Sequence, residues 1–250
     1  MNSTSLSLVI PVYNEEEIIE QSLKILLDYL SQLSFLHHYE VIIGDDGSKD
    51  TTPTLLKRLT EENKNLKVVT SQKSQHIGIA KKMGLTVAEG DFVMTYAIDL
   101  PFGLEIIEQS LQAAQENPHC LILGSKGHQQ SIINIPLRRR VQSKIFNLLL
   151  NGLYRLQVKD SQGTVLLPQT VLKTILPRLG GETDFFQAEI LILGKGLGCR
   201  LWEIPIAYQP TRTGKKKQGN HFSGWKMGRE LIQERGRLTH LDVIKGAFKL

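Results

Sequence analysis

The stretch LSLVIPVYNEE, residues 6–16, decides the fold of this 250-residue chain. The apolar run from Leu6 to Ile10 is typical of a buried strand, and Pro11 follows it directly. Helical spacing of apolar residues then begins near Glu15 and continues to residue 33. Asn14, three residues before Glu17, resembles an N-cap for this helix. A strand that leads through a short polar loop into a helix is the first half of a βαβ unit, which predicts a parallel sheet.

The alternation of strands and helices continues along the chain. Apolar runs predict further strands at 39–44, 66–70, 91–96, 121–124, 165–167 and 201–206. Helical spacing predicts further helices that begin at Pro53 or cover 79–88, 106–115, 141–156 and 189–195. Together these elements predict an α/β fold with a mostly parallel sheet flanked by helices. Acidic loops follow the first, second and fourth strands. Because ligands of parallel sheets bind beyond the carboxyl ends of the strands, we expect the functional site at that edge.

Composition places the chain among globular proteins. Hydrophobic residues make up 41% and charged residues 22% of the sequence, which excludes disordered and collagen-like classes. The two cysteines, Cys120 and Cys199, have no CxxC spacing and are too few for a disulfide scaffold. No apolar run approaches the roughly 20 residues that a transmembrane helix needs. The N-terminus lacks a basic region before its apolar run, so we expect no signal peptide.

Positive charge is concentrated near the end of the chain. Residues 212–250 carry ten Lys/Arg and three Asp/Glu, whereas the first 211 residues carry 20 basic and 22 acidic residues. We therefore divide the chain into a domain over 1–211 and a basic loop with a helical tail over 212–250. A basic tail indicates an anionic partner such as phosphate, a membrane surface or nucleic acid, unless it is simply a solvated helix. Nucleic acid is disfavoured, because aromatic residues do not interleave with the basic tail.

Two motifs in order carry a resemblance to a known family. Ile10-Pro-Val-Tyr-Asn-Glu15 is followed by Asp45-Asp-Gly-Ser-Lys-Asp50, then by Gly78 at a helix start and by a strand that leads to Asp99. This order resembles glycosyltransferase family 2, and within it the dolichyl-phosphate mannose synthase-like subgroup, over residues 6–217. The resemblance implies a GT-A fold. It also implies inverting transfer of a hexose from a UDP- or GDP-sugar to a polyprenyl phosphate of the dolichyl or undecaprenyl type.

The resemblance also implies a nucleotide-sugar pocket at the predicted sheet edge. It assigns to this pocket Pro11, Val12, Tyr13, Glu15, Asp45, Asp46, Gly47, Gly78 and Ile98. The chemistry fits, because a carboxylate accepts hydrogen bonds well from the N–H groups of uracil or guanine. Gly47 would let the backbone turn tightly beside the ligand. Taken alone, residues 45–48 are also compatible with an ordinary turn.

The family's metal motif is only partly present in this sequence. The family pattern Asp-x-Asp reads Ala97-Ile98-Asp99, so the resemblance leaves Asp99 to hold a Mg²⁺ or Mn²⁺ ion beside the leaving diphosphate. It further implies that Glu189 orients the acceptor and that Arg212 assists departure of the diphosphate. A catalytically inactive glycosyltransferase-like binding or scaffold protein is the alternative. A sugar-phosphate nucleotidyltransferase is disfavoured, because no Gly-rich basic loop follows the first strand.

Basic and polar residues of the second half are assigned to the acceptor by the same resemblance. Those expected to bind its phosphate are Lys126, Arg139, Ser143 and Lys217. The run Arg138–Arg140 at a helix start opposes the helix dipole unless an anion lies nearby, although a solvated helix start is also possible. We expect residues 138–156 and the tail to lie against a membrane, where polyprenyl phosphate resides, with the protein on the cytoplasmic side.

Overall fold

Strands and helices alternate along the chain in this computed structural model, which describes residues 3–72, 76–180 and 185–209. The strands are β1 (Thr4–Val12), β2 (Leu36–Asp45), β3 (Leu66–Thr70), β4 (Phe92–Thr95), β5 (Cys120–Ser125), β6 (Ile132–Ile133), β7 (Thr164–Pro168), β8 (Arg200–Pro205) and β9 (Ala207–Tyr208). The α-helices are α1 (Ile19–Gln32), α2 (Thr52–Glu62), α3 (Ile77–Thr86), α4 (Glu105–Glu116), α5 (Leu137–Tyr154), α6 (Gln169–Ile175) and α7 (Phe186–Gly196). A 3₁₀ turn, Leu176–Arg178, follows α6.

Seven strands form one sheet in the order β3-β2-β1-β4-β7-β5-β8. β1 pairs in parallel with β2 and β4, β2 pairs in parallel with β3, and β5 pairs in parallel with β8. β7 is the exception, because it runs antiparallel to both β4 and β5. The predicted α/β fold with a mostly parallel sheet is therefore confirmed. β6 and β9 form a separate parallel ladder.

Helices cover both faces of the sheet. On one face, α1, α2 and α4 pack through residues such as Leu23, Leu56 and Ile107. On the other face lie α3, α6, α7 and one side of α5, represented by Leu85 and Phe146. Because both faces are covered, the central strands are continuous apolar runs rather than alternating ones. These continuous apolar runs made the central strands recognisable in the sequence.

The direction of β7 places a long segment at the carboxyl edge of the sheet. β5 ends at that edge, and the antiparallel β7 begins there. Residues 126–163, including α5, therefore leave the sheet and return to it at the same edge. This is also the edge at which β1, β2 and β4 end. α5 begins at Leu137, four residues earlier than expected, so that Arg138–Arg140 lie within its first turn.

The predicted N-cap at Asn14 is wrong. α1 begins at Ile19 after Ile18, and no side chain caps it. Asn14 adopts a left-handed backbone with φ of 52°. Its Oδ1 accepts a hydrogen bond from the Lys49 N–H at 2.8 Å, and its own N–H donates to Ser48 Oγ at 2.8 Å. Asn14 therefore joins the loops after β1 and β2 instead of starting a helix.

Within the described residues, no helix is both long enough and apolar enough to cross a membrane. The predicted tail, 212–250, lies outside the described residues, so the domain boundary at residue 211 stays a prediction.

Candidate active site

Three polar loops meet at the carboxyl edge of the sheet, as the sequence predicts. Val12 lies opposite Asp45 in the parallel register of β1 and β2, and the Asp46 N–H donates to the Val12 carbonyl at 3.0 Å. On the other side of β1, the Tyr96 N–H donates to the Val9 carbonyl at 2.8 Å. These pairings bring the loops that begin at residues 13, 46 and 97 to one place. They belong to strands that are up to 80 residues apart in the chain, which sequence proximity alone would not join.

The loop after β1 is held against the start of α2. The Glu15 N–H donates to Thr52 Oγ1 at 2.9 Å, and the Thr51 N–H and hydroxyl both donate to Glu16 Oε2. Asp50 accepts from the N–H groups of Glu16 and Thr52. These hydrogen bonds and the Asn14 bridge fix the two loops relative to each other. A ligand that binds between them would therefore meet a preformed surface, which lowers the entropic cost of binding.

Asp45 lines a cleft and has a buried carboxylate. The side chain is fully buried, and its Oδ1 accepts from the N–H and the hydroxyl of Ser48 at 3.1 and 2.6 Å. Its Oδ2 is buried and has no hydrogen-bond donor among the residues that the structure describes. Gly47 adopts φ of 72° in the turn that follows, a conformation that glycine reaches without strain. A buried acceptor without a donor is costly, so a ligand N–H that reaches it gains affinity.

The cleft beside Asp45 has a volume of 540 Å³. It is of the size of small-molecule sites, which are about 300–1,000 Å³. Its walls come from the loops after β2 and β3, and its lining residues are Asp45, Gly47, Ser48, Lys49, Pro53, Thr70, Ser71 and Gln72. The segment Thr70–Gln72 was missed by sequence reasoning, which searched for acidic loops. Its position directly after β3, at the same edge, is the signal that could have found it.

Asp46 ties the second loop to the start of α3. It is 4% exposed, and its Oδ1 accepts from the His76 N–H at 3.2 Å. The ring of His76 in turn caps α3, because Nδ1 accepts from the Gly78 N–H at 3.1 Å. Asp46 and Gly78, both predicted at the nucleotide site, are thus linked through His76.

The other residues that were predicted to bind the nucleotide differ in whether their side chains or only their backbones are accessible to a ligand. Val12 and Ile98 have side chains in the core, at 1% and 4% exposure, so only their backbones can reach a ligand. Pro11 and Tyr13 are half-buried at the rim of the edge, and Glu15 is buried at 6% exposure.

Asp99 lies in the bend after β4, half-buried and close to two tyrosines. Burial, followed by the charges of Glu105 and Asp99, raises the pKa of Tyr96. Burial is also the main cause of the raised pKa of Tyr208, and the Asp99 carboxylate raises it further. The bend is fixed by Gln209, whose N–H donates to the Pro101 carbonyl at 2.9 Å. The bend that carries Asp99 is thus tied to the segment that follows β8.

The donor set at Asp99 fits a metal only in combination with a substrate. Among residues 3–72, 76–180 and 185–209, no three His, Cys, Asp or Glu side chains are grouped to hold an ion. A single carboxylate does not retain Mg²⁺ or Mn²⁺ by itself. It does suit an ion that arrives with a nucleotide diphosphate, because Mg²⁺ is commonly bound by one or two carboxylates and substrate phosphates.

A basic group lies across the edge from Asp99. The ammonium of Lys126 is 2.8 Å from Asp160 Oδ2 and lies over the rings of Tyr208 and Phe102, 5.4 and 5.9 Å from their centroids. Arg139 on α5 lowers the pKa of Tyr208, while the Asp160 carboxylate raises it, so both charges act at the same hydroxyl. The Lys126 ammonium thus lies over the Tyr208 ring, and the charges of Asp99 and Arg139 both shift the pKa of the Tyr208 hydroxyl.

A buried asparagine anchors α5 to the loop before β7. Asn147 Nδ2 donates to the Lys159 carbonyl at 2.9 Å, and its Oδ1 accepts from the N–H and hydroxyl of Ser161 at 3.1 and 2.7 Å. Ser143 lies one turn earlier and is half-buried. The helix is thus fixed to the loop that contains Asp160, which sets the position of Arg139.

Glu189 and Gln187 lie at the start of α7, beneath the edge. Glu189 has no exposed surface, and its Oε2 accepts from the Gly180 N–H at 2.8 Å. It is not among the residues that line the cleft beside Asp45, and its assigned role toward the acceptor stays a prediction. Gln187 Nε2 donates to Thr95 Oγ1 at 2.7 Å at the end of β4. Arg212 and Lys217 lie outside the described residues, and their assigned roles stay predictions.

Comparison with known proteins identifies the family. Residues 7–173 match the family model described as Glycosyl transferase family 2. The chain belongs to glycosyl transferase family 2. The family assignment made from the two sequence motifs is thereby confirmed.

The relatives of this family 2 chain include proteins named for transfer to dolichyl phosphate. Dolichyl-phosphate beta-glucosyltransferase ALG5A of Trichomonas vaginalis is 26% identical, over 92% of this chain and 73% of its own length. Glycosyltransferase AglD of Haloferax volcanii is 24% identical over 93% of this chain. The match spans 37% of the length of AglD.

Solved structures of similar fold confirm the GT-A architecture. Glucosyl-3-phosphoglycerate synthase of Mycobacterium tuberculosis, in complex with Mn²⁺, UDP and phosphoglyceric acid, matches with a TM-score of 0.65 and 17% identity, over 94% of this chain and 78% of that one. The mannosyltransferase PcManGT of Pyrobaculum calidifontis, in complex with GDP-Man and Mn²⁺, matches with a TM-score of 0.61 and 15% identity. This match covers 97% of this chain and 70% of that one. At these identities the likeness is one of fold.

Proposed function

We propose that this family 2 glycosyltransferase transfers a hexose from a UDP- or GDP-sugar to a polyprenyl phosphate at a membrane surface. One observation carries the proposal. The same sheet edge holds a cleft lined by Asp45, whose Oδ2 is buried without a donor among the described residues, and, beyond β1, β4 and β7, the basic residues Lys126 and Arg139. A nucleotide and a second phosphate would then bind on either side of Asp99. The names of the dolichyl-phosphate relatives support this class of acceptor.

The donor would bind with its base in the cleft and its diphosphate toward Asp99. Asp45 Oδ2 would accept the ring N–H of uracil or guanine, a charge-assisted hydrogen bond. The loops joined by Asn14 would hold the ribose side. Asp99 would hold a Mg²⁺ or Mn²⁺ ion together with the diphosphate, and this ion would neutralise charge on the leaving group. The family resemblance assigns Arg212 to the same diphosphate charge, and this arginine would complement the single carboxylate of Asp99.

The acceptor phosphate would attack the anomeric carbon directly. One phosphate oxygen forms the new C1–O bond while the C1–O bond to the nucleoside diphosphate breaks on the opposite side, which inverts the configuration. A phosphate is already ionised near neutral pH, so no strong general base is required. Lys126, Arg139 and Lys217 would bind and orient it. The neutral amide of Gln187, instead of a carboxylate, is compatible with an anionic acceptor.

A transfer assay tests the proposal. Purified protein in detergent would receive radiolabelled UDP-glucose or GDP-mannose, dolichyl or undecaprenyl phosphate, and Mn²⁺, and label in the lipid phase would be measured. We expect label from one donor, and a loss of at least tenfold in Arg139→Gln but not in the control Arg178→Gln, an exposed arginine on the 3₁₀ turn. Nucleotide-sugar binding without any lipid-linked product would contradict the proposal and favour an inactive binding protein.

A further inference from the structure

α5 carries apolar residues on two opposite sides. Its inner side packs on the core through Phe146 and Leu150. On its outer side, large apolar residues are exposed: Leu137 by 74%, Val141 by 47%, Ile145 by 54%, Leu148 by 73% and Leu149 by 48%. At 3.6 residues per turn, these five positions fall within about a third of the helix circumference. We call them the outer face of α5.

The outer face of α5 is unusual within this protein. Nine large hydrophobic residues are exposed in the described part of the chain, and six of them lie between Ile132 and Leu149. Single exposed apolar residues are normal on a protein surface. A continuous group of them marks a surface that contacts a partner or a membrane.

The charge around the outer face of α5 identifies the partner. Residues 126–159 contain seven Lys/Arg and not one Asp/Glu. Arg140 and Lys144, both exposed, are one turn apart and border the apolar residues along one side of the helix. An apolar helix face bordered by basic residues is the pattern of helices that lie in the interface of an anionic membrane.

Two other occupants are disfavoured by charge. A second copy of the chain would bring the same basic segment to the contact. Residues 212–250 carry a surplus of seven positive charges and would be repelled by residues 126–159 for the same reason. An anionic bilayer supplies both the negative charge and the apolar layer that this surface needs.

We infer that the outer face of α5 docks on an anionic lipid bilayer, with Leu137, Val141, Ile145 and Leu148 at the acyl boundary and with Arg140 and Lys144 at the headgroup phosphates. The inference deepens the proposed function, because α5 lies at the sheet edge that holds Asp99 and Lys126. Docking through this face would bring that edge next to the layer in which a polyprenyl phosphate headgroup lies.

Vesicle sedimentation tests the inference without any substrate. The full chain would be mixed with vesicles of phosphatidylglycerol and phosphatidylcholine in equal parts, or of phosphatidylcholine alone. We expect binding to the anionic vesicles and at least tenfold weaker binding for Leu148→Glu, which replaces an apolar group that docking would bury with a negative charge. Arg140→Gln and Lys144→Gln should each weaken binding about fivefold at low salt. The control Ile25→Glu changes an apolar residue on α1 that is 43% exposed, and it should bind as the wild type does.

A labelled cysteine locates the contact even if a glutamate variant folds poorly. Val141→Cys would carry an environment-sensitive dye, since the native Cys120 and Cys199 are buried. Anionic vesicles should shift its emission to the blue, and the same dye at Ile25→Cys should not respond. Unchanged binding of Leu148→Glu, a silent dye at Val141→Cys, or failure of the wild type to bind anionic vesicles would overturn the inference.

Experiments with two acceptors distinguish failure of the proposed hexose transfer from failure of membrane docking through α5. With a water-soluble short-chain phosphate acceptor, Leu148→Glu should transfer hexose at the wild-type rate, whereas with a long-chain acceptor in vesicles it should be slower. Binding to anionic vesicles without transfer to either acceptor would refute the proposed function and leave docking intact. Equal transfer by wild type and Leu148→Glu to the vesicle-borne acceptor would overturn the role of the docking face. Binding of an acidic protein, with no affinity for vesicles, would identify a protein partner instead.

Discussion

The ammonium of Lys126 lies 2.8 Å from Asp160 Oδ2, and the backbone N–H of Lys126 donates to that same oxygen at 3.0 Å. Asp160 is almost fully buried, and its second oxygen accepts from the Gln162 N–H at 3.1 Å. The pair therefore joins the end of β5 to the loop before β7 and closes the segment that carries α5. The Lys126 side chain stays 16% exposed in this pair, which leaves room for a phosphate to approach it.

Removal of Lys126 should destabilise the protein through Asp160. In Lys126→Met the buried carboxylate loses its cation, which should cost about 2 kcal/mol of unfolding free energy, less than for a fully buried pair because Lys126 is partly exposed. The double variant with Asp160→Asn should recover part of this loss. Urea unfolding of both single variants and the double variant measures the coupling. Strictly additive losses would show that the pair does not contribute.

Glu40 should make stability depend on pH. It is 1% exposed and accepts from the Ser7 hydroxyl, the Glu89 N–H and the Lys67 ammonium. Burial alone would raise the pKa of this carboxyl, but the hydrogen bonds from Lys67, Ser7 and Glu89 outweigh it and lower the pKa. The ionised Glu40 carboxylate therefore stabilises the folded protein above the pKa of this group in the unfolded chain, about 4.3. This stabilisation is lost as the pH falls through the lower pKa of Glu40 in the folded protein.

The variant Glu40→Gln isolates this contribution. We expect it to cost about 1–2 kcal/mol at pH 7, with the difference from wild type shrinking as the pH falls below about 4. Urea unfolding at pH 7, 5 and 3.5 measures it, with the exposed Glu61→Gln on α2 as control. A wild-type to Glu40→Gln difference that stays constant over this range would refute the assignment.

Gly163 and Gly152 should respond oppositely to alanine. A Cβ at Gly163 would lie 1.8 Å from the Gly124 carbonyl oxygen, whereas a Cβ at Gly152 on α5 would meet nothing within 4 Å. Gly163→Ala should lose at least about 2 kcal/mol, because backbone must move. Gly152→Ala should gain up to about 1 kcal/mol from helix propensity. Thermal unfolding compares them, and a Gly163→Ala as stable as wild type would contradict the close approach.

We expect Asp99 to make the affinity for the nucleoside diphosphate depend on the metal ion. If the ion is held by this carboxylate and the diphosphate together, Mn²⁺ should tighten binding of the nucleoside diphosphate in the wild type but not in Asp99→Asn. Glu105→Gln, in an exposed position at the start of α4, is the control and should retain the metal effect. Equal tightening by Mn²⁺ in Asp99→Asn would show that other groups hold the ion.

The parts of the fold that depend on local sequence were predicted well. The strand at 66–70 begins and ends where its apolar run does, and the polar loops at 13–16 and 45–50 were expected at one edge because parallel strands end together. The antiparallel β7 was not predicted, since a five-residue apolar strand carries no information about its direction. Only the return of the chain to the same edge reveals it.

The site was less predictable where contacts are distant in sequence. Asn14 pairs with Lys49 and Lys126 with Asp160, 35 and 34 residues apart, so neither partner can be identified from local spacing. The hydrogen bond from the Gly180 N–H to Glu189 was likewise not predicted, and the expected role of Glu189 at the acceptor stays a prediction. Thr70–Gln72 was overlooked because uncharged residues give no chemical signal until the fold places them beside Asp45.

Calorimetric titration of wild type and Asp45→Asn with UDP, GDP and their hexose conjugates, with and without Mn²⁺, tests the central claim most directly. The claim is that a nucleotide base binds in the cleft at Asp45 Oδ2. We predict that one nucleotide series binds and that Asp45→Asn weakens it by about 10–100-fold, the worth of one charge-assisted hydrogen bond. The exposed Asp28→Asn on α1 is the control and should bind as the wild type does. A folded wild type that binds none of these ligands, or an Asp45→Asn that binds equally well, would contradict the account.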